Sequence, residues 1–316
     1  MVTPVVPVLD HAAVLAAVSP ARAIAEVREA FVRYHRGDWA MPPKLYLPSP
    51  PHGDFRAMPA LGDGLAILKW VTSFPGNHLS GAPTVSGLVC VSDATDGRLL
   101  LLLDGRAVTA LRTGAVAAVA AEALSPPDRT AGIIGCGVHG AWAARCLRAA
   151  GFGPGVCTDP DPGAAAILAA ELGWACGTRE DAVGAGIVTT TTPGSTVVIT
   201  VGDLHPGLHL SMLGADGPGK AETTVDVVAR CTVFCDDWAQ ASHGGEIRAA
   251  VEAGRIGEHD VTSLGAVLSR ERPGRTSERE ITLFDSTGLA IQDLAIARAA
   301  WQAWTAGDVD AQAVSL

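Results

Sequence analysis

The sequence predicts an α/β protein, with a Rossmann-type doubly wound parallel sheet plus a second, α+β domain. Three observations predict it. From about residue 130, strand-like apolar runs alternate with Ala-rich helical segments, which is the rhythm of βαβ units. Between residues 41 and 104, short β-type runs alternate instead with Gly/Pro turns. The stretch "IIGCGVHG" (133–140) joins the first strand of the βαβ region to its helix through three spaced glycines.

Composition and charge narrow the class of protein. Hydrophobic residues make up 48% of the 316 residues and charged residues 18%, a globular composition with a sizeable core. The formal net charge is -10 and the pI about 5.3, with no basic stripe, so we expect neither a nucleic-acid nor an anionic-membrane partner.

Cysteine usage and the N-terminus indicate the compartment. The seven cysteines are scattered, without CxxC pairs or ligand-type Cys/His spacing, and predict core thiols in a reducing compartment and no metal site. The N-terminus lacks the basic and long apolar regions of a signal peptide. We therefore expect a cytoplasmic protein.

The first domain begins with a helix and continues as a sheet. "SPARAIAEVREAFVRYHRGD" places Ser19 as N-cap and Pro20 at the first helical position, with Ile24, Val27 and Phe31 at helical spacing. Five strands follow, typical of a mainly antiparallel or mixed sheet: "KLYLP", "FRAMPAL", "LAILKWVTSF", "TVSGLVCVSD" and "RLLLLLDG".

The sequence pattern changes from β-type runs to helical spacing near residue 115. "DGRAVTALRTGAVAAVAAEALSP" has helical spacing, and its apolar window is short and carries Glu122, so it predicts a buried helix and no membrane span. The βαβ strands come next: "TAGIIGCG", "GVCTDPD", "AGIVTTTTP", "GLHLSMLGADG" and "CTVFCDD". "EITLFDSTGLAIQDLAIARAAWQAW" then gives one last strand and a helix.

The glycine-rich turn predicts a dinucleotide site. Gly135, Gly137 and Gly140 form a GxGxxG between an apolar strand and a helix, where helix N–H groups can face a pyrophosphate. About twenty residues on, Asp159 in "VCTDPD" has the spacing of a ribose-binding acid. Because a carboxylate there repels a 2′-phosphate, we expect NAD(H) in preference to NADP(H).

Two neighbouring segments add candidate residues. Arg112 and Thr113 precede a helical run, and the arginine is either a surface residue or a ligand of a phosphate or carboxylate. The hydroxyls of "TTTTP" (189–193) end a strand, where ribose or nicotinamide would lie, although helix N-capping explains some of them equally well.

Lys69 lies in the middle of the apolar run "LAILKWVTSF" (65–74). A lysine in such a strand is seldom fully buried unless it is paired. Either its stem carries the ammonium to water, or an anionic group meets it.

These segments together resemble the ornithine cyclodeaminase/mu-crystallin family, and within it the archaeal-type alanine dehydrogenase branch. The motifs that carry the resemblance run from about residue 41 to 296: "MPPKLYLP", "GDFRAMPA", "LKWVTSFPGN", "LDGRAVTALRTGA", "IGCGVHG", "LGADGPGKAE", "DDWAQASHGGEI" and "ITLFDSTGLAIQD". The resemblance implies a dimer of two-domain subunits. Residues 1–115, completed by the C-terminal helix 289–316, would bind substrate and dimerise, and 116–288 would form the Rossmann domain.

The resemblance also implies roles for individual residues. Lys44, Lys69 and Arg112 match cationic residues that face the substrate carboxylate, and Asp216 in "GADGPGK" matches the family's acid/base, although Asp-Gly-Pro-Gly is also good turn chemistry. Lys69 either orients the carboxylate or shares in proton transfer. The Asp285–Thr287 segment caps the last helix, contacts nicotinamide, or does both. Further cofactor-binding candidates are Thr84, Val138, His139, Thr190, Thr191, Gly214, Lys220 and Ser286.

Arg56 is the position that discriminates between substrates. Ornithine cyclodeaminases have a glutamate there, two residues before the Met-Pro, whereas a guanidinium repels the side-chain ammonium of ornithine or lysine. We therefore expect NAD-dependent, reversible oxidative deamination of a small neutral L-amino acid, most simply L-alanine to pyruvate and ammonia. The alternatives are cyclodeamination or ketimine/imine reduction in specialised metabolism, and a non-catalytic nucleotide-bound protein of mu-crystallin type.

Overall fold

The computed structural model describes residues 5–127, 129–194, 196–217 and 219–315. The chain divides into two compact units: unit 1 comprises Met1–Arg112 and Leu289–Leu316, and unit 2 comprises Thr113–Gly288. The first four residues of the predicted first domain lie outside the described residues. The substrate and dinucleotide roles that the sequence assigns to residues 1–115 with 289–316 and to 116–288 stay predictions.

The strands in chain order are β1 (Val5–Leu9), β2 (Leu45–Ser49), β3 (Gly53–Gly62), β4 (Leu65–Ser73), β5 (Val85–Asp93), β6 (Leu99–Asp104), β7 (Ala131–Ile134), β8 (Gly155–Thr158), β9 (Ala175–Cys176), β10 (Ile187–Thr190), β11 (His209–Met212), β12 (Thr232–Cys235), β13 (Val261–Ser263), β14 (Thr282–Asp285) and β15 (Gln312–Ser315).

The α-helices in chain order are α1 (His11–Ala17), α2 (Pro20–His35), α3 (Gly105–Leu124), α4 (Val138–Ala149), α5 (Pro162–Leu172), α6 (Arg179–Val183), α7 (Val225–Val228), α8 (Trp238–Gly244), α9 (Arg248–Glu252), α10 (Leu264–Leu268) and α11 (Ala290–Ala306). Short 3₁₀ turns lie at Pro75–Ser80, Val201–Asp203 and Glu258–Asp260.

Unit 1 is built on a seven-stranded mixed sheet in the order β15-β1-β6-β5-β4-β3-β2. β1 pairs parallel with β6, and the other neighbours pair antiparallel. The Ser19 side chain accepts the Arg22 N–H and Pro20 begins α2, which confirms the predicted start of that helix. The five predicted strands are present as β2 to β6, whereas the sequence does not predict β1 or β15.

The central strands β3 and β4 of this sheet alternate between a buried face and a more exposed face. Along β4, Lys69 is buried while its neighbours Leu68 and Trp70 are exposed. The register places Lys69 opposite Met58 of β3 and Val89 of β5, and both of these are buried. Since directly paired residues share a face, Lys69 projects into the core side of the sheet.

Unit 2 contains an eight-stranded sheet in the order β13-β12-β14-β11-β10-β7-β8-β9, and every pairing in it is parallel. The chain begins in the middle of the sheet at β7, winds outwards through β8 and β9, and then returns to the other side of β7 at β10. That reversal is the switch point of a doubly wound fold, at whose strand ends such sheets bind ligands. The predicted fold class is confirmed.

Some local predictions need correction. Thr189 and Thr190 lie inside β10 and cap no helix. The N-cap of α11 is Leu289, so the Asp285–Thr287 segment does not supply that cap. α3 is the one described helix long and apolar enough to cross a membrane, but 83% of its most apolar window is buried, as predicted for a core helix.

Candidate functional site

In unit 1, Lys69 is buried with 1% of its surface exposed, so its stem does not carry the ammonium to water. Asp293, in the first turn of α11, is fully buried against it. The Lys69 ammonium lies 2.6 Å from each oxygen of that carboxylate and donates a hydrogen bond to Oδ1. Of the two alternatives for Lys69, the structure therefore shows the second, an anionic group that meets the ammonium.

Arg112 and Thr109 of α3 complete this cluster. They are three residues apart and share one face of the helix. The Thr109 hydroxyl is 3.4 Å from the Lys69 ammonium, and the Arg112 Nε is 3.7 Å from Asp293 Oδ1. Arg112 also donates to the side-chain oxygen of Gln292 at 3.4 Å. Two cations thus face one carboxylate in a buried setting.

The surroundings change the pKa of Lys69. Burial is the largest effect, because it disfavours the charged ammonium, and the positive charges of Arg112 and Lys44 act in the same direction. Asp293 opposes them by its charge and its hydrogen bond. The net result lowers the pKa of Lys69 to about 8. The predicted cations Lys44, Lys69 and Arg112 are therefore close enough to act on one another.

Arg56 lies on the same buried face, in β3, with 8% of its surface exposed. Its Nε and Nη2 donate to the two carboxylate oxygens of Asp54 at 2.6 and 3.2 Å. The guanidinium also lies over the ring of Tyr46, 5.2 Å from its centroid. The structure therefore fixes Arg56 as a charged, oriented group.

In unit 2, the glycine-rich turn has the geometry that the motif predicts. Gly135 has a φ of +96°, a left-handed conformation that favours glycine, and a Cβ on Gly140 would lie 1.8 Å from the Gly135 carbonyl oxygen. The N-cap of α4 is Gly137, and no side chain caps the helix there. The turn and the helix start therefore fit the pyrophosphate of a dinucleotide.

Asp159 directly follows β8 and is tied to this turn. Its Oδ2 accepts the Cys136 N–H at 2.6 Å, and its Oδ1 accepts the Asp161 N–H at 2.8 Å. The carboxylate is therefore held beside the glycine turn, at the position predicted for ribose recognition.

Glu222 joins the loops that follow β10 and β11. It is fully buried and accepts hydrogen bonds from the Thr190 hydroxyl at 2.6 Å, the Thr192 N–H at 2.6 Å and the Gly214 N–H at 2.8 Å. Burial raises its pKa, and these donors oppose the effect. Glu246 in turn accepts the N–H of Glu222, at 2.9 Å to each oxygen, and that of Thr223 at 2.6 Å.

Asp216, the predicted acid/base, lies in the loop after β11. Lys220 is 2.6 Å from its Oδ1, and both side chains are about one-third exposed. Glu222 fixes the start of this loop through Gly214. The two predicted residues of this loop are thus paired with each other.

Asp236, directly after β12, accepts several hydrogen bonds from the segment that follows β14. It accepts hydrogen bonds from the hydroxyls of Ser286 at 3.2 Å and Thr287 at 3.1 Å, and from the Gly288 N–H at 2.8 Å. Asp285 is fully buried and accepts the Ile247 N–H at 3.0 Å. Burial, reinforced by Asp236, raises the pKa of Asp285 well above its usual value.

The remaining residues predicted to bind the cofactor differ in burial and in hydrogen bonding. The Thr191 hydroxyl donates to the Gly135 carbonyl at 2.9 Å. Thr113 is buried in α3, while Val138 and Thr84 are exposed and His139 is partly buried. The Thr190, Thr191 and Ser286 hydroxyls thus make bonds within the protein, and their contacts with a cofactor stay predictions.

Sequence reasoning missed the acids that organise the site: Asp293, Glu222, Glu246 and Asp236. For Asp293 a signal exists, since a carboxylate in the largely apolar helix "AIQDLAIARAA" (290–300) needs a partner where it is buried. Glu222 follows Lys220 within the motif "LGADGPGKAE" and carries no comparable signal of its own.

Known proteins resemble this chain over nearly its whole length. The model of the ornithine cyclodeaminase/mu-crystallin family matches residues 6–308. An alanine dehydrogenase of Archaeoglobus fulgidus is 38% identical over 303 residues, 93% of this chain and 94% of the relative. An ornithine cyclodeaminase of Agrobacterium tumefaciens is 34% identical over 257 residues, 78% of this chain and 71% of the relative.

A solved structure gives the same picture. An archaeal alanine dehydrogenase dimer with bound NAD superposes with a TM-score of 0.94 at 36% identity, over 99% of this chain and 100% of that chain. The resemblance in the sequence motifs is therefore confirmed, while the roles of individual site residues stay predictions.

Proposed function

The chain belongs to the ornithine cyclodeaminase/mu-crystallin family, and from that premise we propose that it catalyses the NAD-dependent, reversible oxidative deamination of a small neutral L-amino acid, with L-alanine as the preferred candidate. The observation that carries this choice of substrate is Arg56. Its buried guanidinium shares the face of the sheet that carries Lys69, so a second ammonium on the substrate would meet a fixed like charge.

The carboxylate of the substrate is assigned to the cations of unit 1. Lys69 and Arg112 together exceed the single charge of Asp293, and Lys44 adds to the positive potential that lowers the pKa of Lys69. A cluster with excess positive charge in a buried setting favours a monoanionic ligand. It would hold the amino acid by its carboxylate and leave the Cα–H bond oriented for reaction.

Bound NAD would supply the hydride acceptor for the substrate Cα–H. Gly135, Gly137, Gly140 and the start of α4 would hold its pyrophosphate, and Asp159 the adenine ribose, since the glycine turn and its bonded carboxylate fit these groups. We assign Asp216 to the proton transfers: it takes a proton from the water that adds to the substrate imine and returns one as ammonia leaves.

We further propose that the chain forms a homodimer through the exposed face of the unit 1 sheet. This face is unusually apolar for a solvent-exposed surface, because Leu68, Trp70 and Leu88 are each about 40% exposed. Phe55 stacks on Trp70 with ring centroids 5.6 Å apart. The related alanine dehydrogenase structure is a dimer, which supports this assignment.

The test is a substrate panel. The purified protein is incubated with NAD⁺ and each amino acid, and reduced nicotinamide is followed by absorbance. We expect turnover with L-alanine and its loss in Asp216→Asn and Lys69→Ala. Asp226→Asn is the matched control, because that carboxylate forms an exposed ion pair with Arg255. Proline formed from ornithine without net cofactor reduction would show a cyclodeaminase, and reduction of cyclic imines alone an imine reductase. NADH binding without turnover on any substrate would show a binding protein.

A further inference from the structure

The Lys69–Asp293 pair joins two segments that are far apart in the chain. Lys69 is in the middle of β4 and Asp293 is in α11, 224 residues later. Both side chains are almost completely excluded from solvent, with 1% and 0% exposure. A buried ion pair of this kind rarely adds net stability, since desolvation offsets the attraction. Because this pair lies on the buried face of the unit 1 sheet that also carries Arg56, we look for its role in function.

We propose that Asp293 is the positioning residue for Lys69, holding its ammonium charged and aimed at the substrate carboxylate. The inference rests on the proposed function, which assigns Lys69 to the substrate. Asp293 itself contacts no substrate in this proposal and acts through Lys69.

Hydrogen-bond geometry supports the positioning role. An ammonium has three N–H donors. Among the described residues, Asp293 takes one of them at 2.6 Å and the Thr109 hydroxyl lies near a second at 3.4 Å. These two contacts fix the direction of the third, which a substrate oxygen can accept.

Charge supports the same role. The charged groups that act on Lys69 come from three segments: Asp293 of α11, Arg112 of α3 and Lys44 just before β2. Of these, Asp293 alone favours the ammonium. Asp293 lies in the first turn of α11, where the helix dipole stabilises a carboxylate. Without it, Lys69 would be a buried amine beside two cations, and neutral Lys69 could not attract a carboxylate.

The decisive experiment is the pH profile of kcat/KM for L-alanine oxidation in wild type, Asp293→Asn and a control. The control is Glu26→Gln, which removes a carboxylate that binds Arg298 of the same helix but lies away from Lys69. In Asp293→Asn we expect the alkaline limb of this profile, where Lys69 loses its proton, to move to lower pH by one unit or more. If catalysis needs the ammonium, activity at pH 8 falls about fivefold for the first unit and about tenfold for each further unit, since Lys69 is about half protonated at pH 8 in wild type. Glu26→Gln should keep the wild-type limb. An Asp293→Asn limb that coincides with wild type would overturn the inference.

A second measurement needs no substrate. Because the folded protein lowers the pKa of Lys69 from 10.5 to about 8, protonation of this lysine destabilises the folded state relative to the unfolded state. Asp293→Asn should increase this destabilisation. The gap in melting temperature between wild type and variant should therefore narrow as pH rises from 7 to 10.5, where Lys69 is neutral in both. A gap independent of pH would show a packing role only and refute the proposal. Absence of turnover in wild type would instead refute the proposed function and leave this result valid.

A folding failure of Asp293→Asn is also informative. In that event the double variant Lys69→Met/Asp293→Leu, which removes both charges, is compared with each single variant by NADH-binding fluorescence and melting temperature. Recovery in the double variant shows that the two residues are coupled through charge. A double variant that folds no better than the singles would overturn the inference.

Discussion

Replacing Glu222 by glutamine should destabilise unit 2 far more than the small chemical change suggests. The two carboxylate oxygens receive three donors: the Thr192 N–H on one, and the Gly214 N–H with the Thr190 hydroxyl on the other. A glutamine side chain keeps one oxygen and replaces the other by an NH₂ donor. In either orientation, at least one backbone N–H then faces a donor.

The magnitude follows from this count. A buried donor left without an acceptor costs about 1–3 kcal/mol, and the bonds that remain lose the strength of an ionised acceptor, so we expect about 2–4 kcal/mol in total. For a domain of this size that corresponds to a fall in melting temperature of roughly 5–15 °C. The loop that carries Asp216 begins at the freed Gly214, so kcat/KM should fall at least about tenfold as well.

Glu246→Gln is the matched control for this prediction. Glu246 Oε1 accepts both the Glu222 N–H at 2.9 Å and the Thr223 N–H at 2.6 Å, and Oε2 shares only the Glu222 N–H, also at 2.9 Å. A glutamine oxygen in that place keeps both bonds, and it also removes repulsion with the Glu222 carboxylate. Thermal unfolding followed by circular dichroism should therefore show a much smaller loss for Glu246→Gln. Equal melting temperatures for the two variants would refute the reasoning.

Three further predictions concern pH, cofactor and assembly. Burial and the charge of Glu222 raise the pKa of Glu246 to about 7, so its contribution to stability is full below pH 4.5 and is lost as pH rises through 7. The melting temperature should fall between pH 5.5 and 8 more steeply in wild type than in Glu246→Gln, and parallel curves would contradict this. Asp159→Ala should weaken NADH binding about tenfold or more and reduce the preference for NADH over NADPH, both measured by fluorescence titration. Trp70→Asp with Leu88→Asp should give monomers in light scattering, and an unchanged dimer would place the interface elsewhere.

The glycine-rich turn and the parallel sheet of unit 2 could be predicted because their signals are local. Gly135, Gly137 and Gly140 need only a turn between a strand and a helix, and Asp159 follows at the end of the next strand. The parallel pairing of the strands also follows from the alternation of strands and helices, whereas their order, with β14 between β12 and β11, does not. Very short strands such as β9, with two residues, leave no periodicity to read.

The partners of the site residues could not be predicted, because they depend on contacts between distant segments. Asp293 meets Lys69 across 224 residues of chain, and Asp236 meets Ser286 and Thr287 across 50 and 51. Hydrophobic alternation does not predict the face of Lys69 either, since its neighbours Leu68 and Trp70 are apolar yet lie on the exposed face of β4. Which anion meets it there depends on where α11 returns, and a single sequence does not contain that information.

The structure also changes how the cations of the site are understood. Arg56, Lys69 and Lys220 each have an acid 2.6 Å away: Asp54, Asp293 and Asp216. The cost of burying these charges is therefore already offset before a substrate binds. A second carboxylate on the substrate would have to compete with Asp54 for Arg56, whereas under the proposed function the α-carboxylate would meet Lys69 and Arg112, which share one acid. This asymmetry supports the proposal of an amino acid with a single carboxylate.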